Sequence, residues 1–365
     1  MVPEPLRAED PREIAGYPLY ARIGEGGMGT VYLSRSRGGQ PVALKLVRPE
    51  YAAAPAFRER FAREVAAGRR VSGYHLVPIV DHDAGAERPW LATHYVPGVP
   101  LGQALETHGP LPVPTVLQLL ACAAYALDAV HTAGVIHRDV KPANLLLAAD
   151  GPWLLDFGIA RAAGAATLTT AGRLIGTPRY MSPEHALGRR VTSASDVFAL
   201  GLIAAVAATG SHPYGRGNPL AIATRIAATD VSPPALTGIG RPLLDIVRRC
   251  LTADPASRPS AAALAEHCAG AARRDVRDFT GWLPAPVATS VTIIETAFRA
   301  LSLTEAPTAP TPHISSGPDG PPTAADGTDH GAGRGMAPPG PPGAVSRVRC
   351  RVRVVRGCSR GSPCP

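Results

Sequence analysis

Aromatic residues are scarce in this chain: Phe, Trp and Tyr together make up 5% of 365 residues, although 45% are hydrophobic. An interior built from it must be packed mainly by Ala, Val and Leu. Cysteine is scarce as well. The six (Cys122, Cys250, Cys268, Cys350, Cys358 and Cys364) form no Cys-x-x-Cys pair, and the first three stand in apolar, helix-like surroundings, so a reduced, intracellular chain is expected. No stretch reaches the roughly 18 apolar residues that a membrane span requires, and Ala199 to Ala208 reads as a short buried helix. The opening MVPEPLRAEDPRE lacks the charged and apolar regions of a secretion signal, which makes a cytoplasmic location without a transmembrane segment the expectation. The last stretch, AVSRVRCRVRVVRGCSRGSPCP, lacks acidic residues and carries a good share of the net charge of +8. Such a run can meet nucleic acid, an acidic protein or anionic lipid, but a solvated tail with no specific nucleic-acid partner is the simpler reading.

What is present falls into regions of different character. From Tyr17 to Val96 the segments YARIG, TVYLSRS, PVALKLV and PWLATHYV are short, β-branched or aromatic and broken by Gly or Pro, the pattern of strands. One helix, about Ala56 to Val71, interrupts them, with apolar residues at helical spacing. From Thr115 onward, long Ala/Leu-rich helical segments dominate, so the class is α+β. From Pro307 the sequence is Pro, Gly, Ala, Ser and Thr with almost no large apolar residue, the composition of a disordered tail. Inside the tail, whose change of character begins at about Arg274, VTIIETAFRALSL has enough apolar residues for one amphipathic helix that could dock on the helical half.

Several motifs sit on this frame. IGEGGMGTV places Gly24, Gly26 and Gly29 in G-x-G-x-x-G spacing, and glycines let backbone amides approach phosphate oxygens. Thr30-Val31-Tyr32-Leu33 resumes a strand after the turn, so the glycines form a flap between two strands rather than a dinucleotide fingerprint opening a helix. A plain structural hairpin would carry the same glycines. Lys45 lies within the apolar strand VALKLV, where a lysine either snorkels or meets a fixed anion. Glu64, on the helix of this half, can aim its ammonium, and Glu59 is a rival by spacing. In VIHRDVKPANLLL, a polar loop stands between apolar flanks: Asp139 can accept a hydroxyl proton, Lys141 can neutralise charge on a transferring phosphoryl group, and Asn144 can ligate a metal through its amide oxygen. Asp156, followed by Phe157 and Gly158, offers a carboxylate suited to a hard cation that bridges phosphates.

These strings resemble the bacterial eukaryotic-like serine/threonine protein kinase family. The resemblance runs from about Tyr17 to Ala272. It implies the two-lobed kinase fold, with a small antiparallel-sheet N-lobe bearing one helix (17–96) and a larger, mainly helical C-lobe (97–272), after an N-terminal extension (1–16) and before a largely disordered tail (273–365). It also implies ATP with magnesium, or manganese as the alternative, and protein substrates bearing Ser or Thr. The nucleotide site implied is Ile23, Gly24, Glu25, Gly26, Gly27, Met28, Gly29, Thr30, Val31, Ala43, Lys45, Glu64, Thr93, Tyr95 and Leu146. The catalytic residues are Asp139, Lys141 and Thr177, and the metal ligands Asn144 and Asp156. MSPE (Met181 to Glu184) stands where the family closes its activation segment, Arg258 where it keeps that glutamate's buried partner, and Asp196 where an aspartate steadies the catalytic loop. Serine/threonine specificity rests on Lys141 and on Thr177, which in the family bonds the catalytic aspartate and lysine.

Arg138, directly before Asp139, marks the subtype activated by loop phosphorylation. Thr167, Thr169 and Thr170 are the candidate sites, the latter two first, and a homodimer would let one copy phosphorylate another. His94 stands at the hinge where many relatives carry glutamate, and Gly68 where the family prefers an apolar residue. Glycine inside a helix costs about 1 kcal/mol, so an easily displaced helix and low activity without a phosphorylated loop or a partner are expected. A pseudokinase-type binding module would lack some of these parts, and a small-molecule phosphotransferase would lack TPRYMSPE.

Overall fold

Alternation of side chains along PVALKLV sets the geometry of the first lobe. In β4 (Pro41–Val47), Val42, Leu44 and Leu46 are 0%, 0% and 4% exposed, so Ala43 and Lys45 project from the opposite face. The structure, a computed structural model, describes residues 2–155 and 178–303. Around β4 stand β1 (Glu13–Ile14), β2 (Tyr17–Gly26), β3 (Gly29–Arg35), β5 (Ile79–Asp83) and β6 (Trp90–His94), in the order β1-β2-β3-β4-β6-β5 with every pairing antiparallel. The Leu44 face packs with Leu19, Tyr32, Trp90 and Ala92. The Lys45 face is left to the cleft.

Two helices, not one, accompany this sheet: a single turn, α1 (Pro49–Ala52), and α2 (Pro55–Gly68). Phe57, Phe61 and Val65 recur every fourth residue and are buried, fixing which face of α2 turns inward. The helix expected to reach Val71 ends at Gly68. Gly68 is thus its last residue, and the penalty for a glycine in a helix interior does not apply there.

The second lobe contains β7 (Val99–Pro100), β8 (Leu145–Ala148) and β9 (Gly151–Leu154), which form a three-stranded sheet. Its helices are α3 (Leu101–His108), α4 (Val113–Thr132), α5 (Pro183–Ala186), α6 (Ser193–Thr209), α7 (Pro219–Ala227), α8 (Leu243–Cys250), α9 (Ala261–Ala272) and α10 (Ala285–Leu303). The core is aliphatic, as the scarcity of aromatics requires: Leu119, Leu120, Leu127, Leu200 and Leu202 are at most 1% exposed, with Phe198 among them. The segment Ala199 to Ala208 lies within α6, which is apolar nearly all round and buried, as expected of a core helix. Gly201 lets α8 approach it closely, since a Cβ there would stand 2.6 Å from Cys250 Cβ.

Two sequence expectations are corrected here. Among the described residues, α4 is long and apolar enough to cross a membrane by length and composition, yet 72% of that window is buried in the lobe. Its mixture of Ala, Leu and a few polar residues serves a core helix equally well. The chain beyond residue 272 is also ordered as far as α10, with Trp282, Val287, Val291 and Ile294 all buried. Trp282 Nε1 donates to Ala148 O at 3.1 Å, and Thr115 Oγ1 donates to Trp282 O at 2.9 Å.

Candidate active site

The glycine flap is the hairpin of β2 and β3. Cross-strand pairs Gly24↔Val31, Glu25↔Thr30 and Gly26↔Gly29 close it around Gly27 and Met28. The glycines serve different ends. A Cβ on Gly29 would stand 2.1 Å from Leu46 O, so this glycine lets the hairpin lie against β4. Gly26 and Gly27 face open space and leave backbone amides accessible to a ligand.

Beneath the flap lies a cavity of about 360 Å³. Ile23, Met28, Val31, Ala43, Leu146 and Leu155 give it apolar walls, Thr93 to Val96 one side, and Lys45, Asp139, Lys141 and Asn144 its polar end. Such a concave, mostly apolar site with a few convergent polar groups is the usual form of a small-molecule site.

The residues of the loop from His137 to Asn144 hold one another. Lys141 Nζ donates to Asp139 Oδ2 at 2.7 Å, and Asn144 Nδ2 donates to Asp139 O at 2.8 Å and to Oδ2 at 3.1 Å. Both donors take the same carboxylate oxygen; Asp139 Oδ1 accepts no bond from the described residues. The Asn144 amide is oriented by its nitrogen, which leaves its oxygen as the acceptor for a cation.

Behind this loop stands Asp196 on α6, 2% exposed. Its Oδ2 accepts from His137 N at 2.9 Å and His131 Nε2 at 2.8 Å, and its Oδ1 from Arg138 N at 2.8 Å. Arg138 carries a φ of 63°, a left-handed conformation that costs a non-glycine residue free energy unless its surroundings hold it. The paired backbone bonds to Asp196 hold it. His137 completes the frame: Nδ1 accepts from Asp139 N at 3.3 Å, so Nε2 is the protonated nitrogen and donates to Leu155 O at 3.0 Å.

Glu184 and Arg258 form a bidentate pair, Nη1 to Oε1 and Nη2 to Oε2, both 2.9 Å. Arg258 also donates to the carbonyls of Thr252, Ala194 and Ala253 and lies 4.8 Å from the Phe198 ring centroid. Ser195 Oγ donates to Glu184 Oε1 at 2.5 Å. Burial alone would raise the Glu184 carboxyl, but these bonds outweigh it and hold the group at about 2.

The structure brings most of the residues expected from sequence into one cavity: Ile23 to Gly29, Val31, Ala43, Lys45, Thr93, Tyr95, Asp139, Lys141, Asn144 and Leu146 all line it. Thr30 does not, because strand alternation puts it on the face opposite Val31. Glu64 lies off the cavity lining, half-buried on α2 beside Phe61 and Val65, whereas Glu59 is exposed and pairs with Arg63 at 3.8 Å. The expected metal ligand Asp156, with Phe157 and Gly158, the loop threonines Thr167, Thr169 and Thr170, and Thr177 lie outside the described residues. Leu91, Val96, Gly98, Pro100, Ala143 and Leu155 also line the cavity. Sequence reading missed them because nothing marks such positions until strands and loops are assembled.

Asp10, in the N-terminal extension, was missed altogether. It is 7% exposed and sits behind the flap, accepting from Arg22, the Tyr32 hydroxyl (2.7 Å) and Arg7 N (2.8 Å). Arg22 and Tyr32 are cross-strand partners at the root of the flap. Glu4 N donates to Arg22 O and Arg22 N to Glu4 O, both at 2.8 Å, so the extension runs alongside β2. In the flap itself, Glu25 pairs with Arg22 and Arg48, each at 3.3 Å.

The family described as Protein kinase domain matches residues 17–268. AfsK, a serine/threonine-protein kinase of Streptomyces griseus, is 39% identical over 370 residues, covering 98% of this chain and 44% of the relative. The "Probable serine/threonine-protein kinase PkwA" of Thermomonospora curvata is 45% identical over 261 residues, covering 72% of this chain and 35% of that protein. The solved kinase domain of PknI from Mycobacterium tuberculosis superposes with a TM-score of 0.57 at 31% identity, covering 71% of this chain and 97% of that one. The chain therefore belongs to the protein kinase family, in its bacterial serine/threonine branch, and has that family's two-lobed fold. It spans less than half the length of these two curated relatives. The family uses ATP with a divalent metal and acts on proteins.

Proposed function

We propose that the chain transfers the γ-phosphoryl group of ATP to serine and threonine hydroxyls of proteins. The observation that carries this reading is the bonding of Lys141 and Asn144 to one oxygen of Asp139 at the end of a cavity roofed by the glycine flap. ATP lies under Gly24 to Gly29 with its adenine between Ile23, Ala43 and Leu146. Lys45, aimed by Glu64, meets its phosphates. The hydroxyl of the acceptor approaches Asp139 Oδ1, which orients it and takes its proton. Lys141, already fixed on Oδ2, balances negative charge on the transferring group, and Thr177 completes the acceptor side. Catalysis is then mainly positioning plus charge stabilisation.

The donor set suits magnesium. A hard cation takes oxygen ligands, and the Asn144 amide oxygen, oriented as described, would hold it together with the Asp156 carboxylate. Bound there, the ion would neutralise phosphate charge. Three buried free thiols, Cys122, Cys250 and Cys268, suit the reducing cytoplasm, where ATP and magnesium are supplied. Phosphorylation of Thr169 or Thr170 by a second copy is the activation this reading carries, with Arg138 to receive the phosphate.

Purified full-length protein incubated with magnesium and labelled ATP, beside Asp139→Asn, tests the reading. Label on Ser or Thr in the wild type alone, located by mass spectrometry, is the expected result. Equal label in both proteins, or none in either on repeated substrate panels, would overturn it.

A further inference from the structure

α10 belongs by position to the chain after the family match, yet it touches both lobes. Val287, Val291, Ile294, Phe298 and Leu301 follow one another at helical spacing and form a single stripe along its 19 residues, about 28 Å of helix. The lower part of the stripe enters the C-lobe core: Val287, Val291 and Ile294 are 1%, 2% and 3% exposed. Ser290 Oγ stands 2.9 Å from His108 Nε2 and ties the same stretch to α3. The upper part leaves that core. Phe298 places its ring 5.0 Å from that of Tyr95, and Phe298 and Leu301 pack against the N-lobe cluster of Ala21, Leu33 and Tyr95. Ile23 and Ala43, two walls of the cavity, pack against that same cluster, and Tyr95 also lines the cavity. The helix thus passes outside the connection between the lobes and bears on residues whose other faces border the nucleotide site.

From this we infer that Phe298 and Leu301 are positioning residues for the nucleotide, acting through Tyr95, Ile23 and Ala43; the inference rests on the reading of the cavity as the ATP site. With the lower stripe buried in one lobe and the upper stripe seated on the other, α10 limits how far the lobes part at the connection. Losing the upper contacts frees Tyr95 and lets the pocket widen. The effect should fall on nucleotide affinity and leave the loop of Asp139, Lys141 and Asn144 alone, because these three bond one another and their loop is anchored to α6 through the His137 and Arg138 amides on Asp196.

The test compares full-length wild type, Phe298→Ala/Leu301→Ala and Ile293→Ala, which alters the outer face of the same helix where Ile293 is 53% exposed. Binding of ATP with magnesium is measured by calorimetry, and kcat and the KM for ATP on a generic acceptor protein. An aromatic contact of this kind is worth about 0.5–1.5 kcal/mol, so the double variant should bind ATP roughly two- to twelvefold more weakly, with KM rising in step and kcat at saturating ATP unchanged. Ile293→Ala should match the wild type, and Phe298→Tyr should restore affinity. If the double variant does not fold, Phe298→Leu keeps the apolar bulk, removes the ring contact and must weaken binding in the same direction. Unchanged ATP affinity in a folded variant whose melting temperature has dropped would make α10 a stabilising plug only and overturn the proposal. A wild type that binds no ATP would overturn the assignment of the cavity, and the proposal with it.

Discussion

Asp10 and Arg22 meet through two bonds, Nε to Oδ2 at 2.7 Å and Nη2 to Oδ1 at 2.9 Å, with both side chains at most 10% exposed. An extension outside the family match thereby fixes the root of the phosphate flap. Removing one partner of a buried pair costs about 3–5 kcal/mol when the other charge is left uncompensated, and without Asp10 the Arg22 guanidinium keeps, among the described carboxylates, only its 3.3 Å contact with the exposed Glu25. Asp10→Ala should therefore lower stability by a few kcal/mol in urea titration and raise the KM for ATP. A variant as stable as wild type would show that the pair contributes nothing.

The Glu184–Arg258 pair should report on acid. Glu184 has its folded-state carboxyl at about 2 against an ordinary 4.5, and Asp10 at about 2 against 3.8. Both are depressed, because bonds to the charged form outweigh burial, which acts to raise them. Their contribution is complete above the unfolded values and disappears as pH falls through the folded ones. Stability should thus decline between about pH 4.5 and 2, and Glu184→Gln should flatten that decline while lowering stability at pH 7. Thermal melts across the range measure both effects.

Gly29 and Gly26 should respond oppositely to alanine. At Gly29 the new Cβ collides with Leu46 O, so Gly29→Ala must displace the flap from β4 and should cost about 1–3 kcal/mol of stability. Gly26→Ala meets nothing within 4 Å and should fold normally, any defect falling on ATP affinity. Equal melting temperatures for the two variants would contradict this division.

Asp139→Asn should reduce kcat by about 10²–10⁴-fold with little change in ATP affinity, since the role proposed for it concerns the acceptor hydroxyl. Asp196→Asn leaves the cavity lining intact but cannot accept from every donor that now converges on the carboxylate. It should lower kcat through a loosened loop. Steady-state kinetics beside circular dichroism separate the two cases: if Asp196→Asn keeps full kcat, the bonds to His137 and Arg138 do not position the loop.

Legibility in the sequence followed distance along the chain. Asp139, Lys141 and Asn144 lie within a few residues of one another, so their pattern could be read directly. The flap was readable because a strand, β3 (Gly29–Arg35), resumes after the glycine turn. Thr30 itself was misplaced because a motif does not state which side of a pleated strand faces the ligand. Asp10 carried no signal, since its importance depends on Arg22 and Tyr32 arriving beside it through sheet pairing. The apolar spacing of α10 was visible, but nothing in it could reveal that one stripe serves two lobes. Gly68 resembles an interior helix residue because the apolar spacing of α2 continues to Val71, although the helix itself stops at Gly68.

The amides of His137 and Arg138 give the catalytic loop an unexpected rank. Each is bound to the carboxylate of Asp196, which α6 carries in the middle of the C-lobe. Hydrogen exchange at such amides requires the carboxylate to withdraw, and Asp196 is held in place by a further bond from His131 on α4. A segment with no regular secondary structure should then exchange as slowly as a core helix, and the chemistry would persist until the lobe unfolds as a whole.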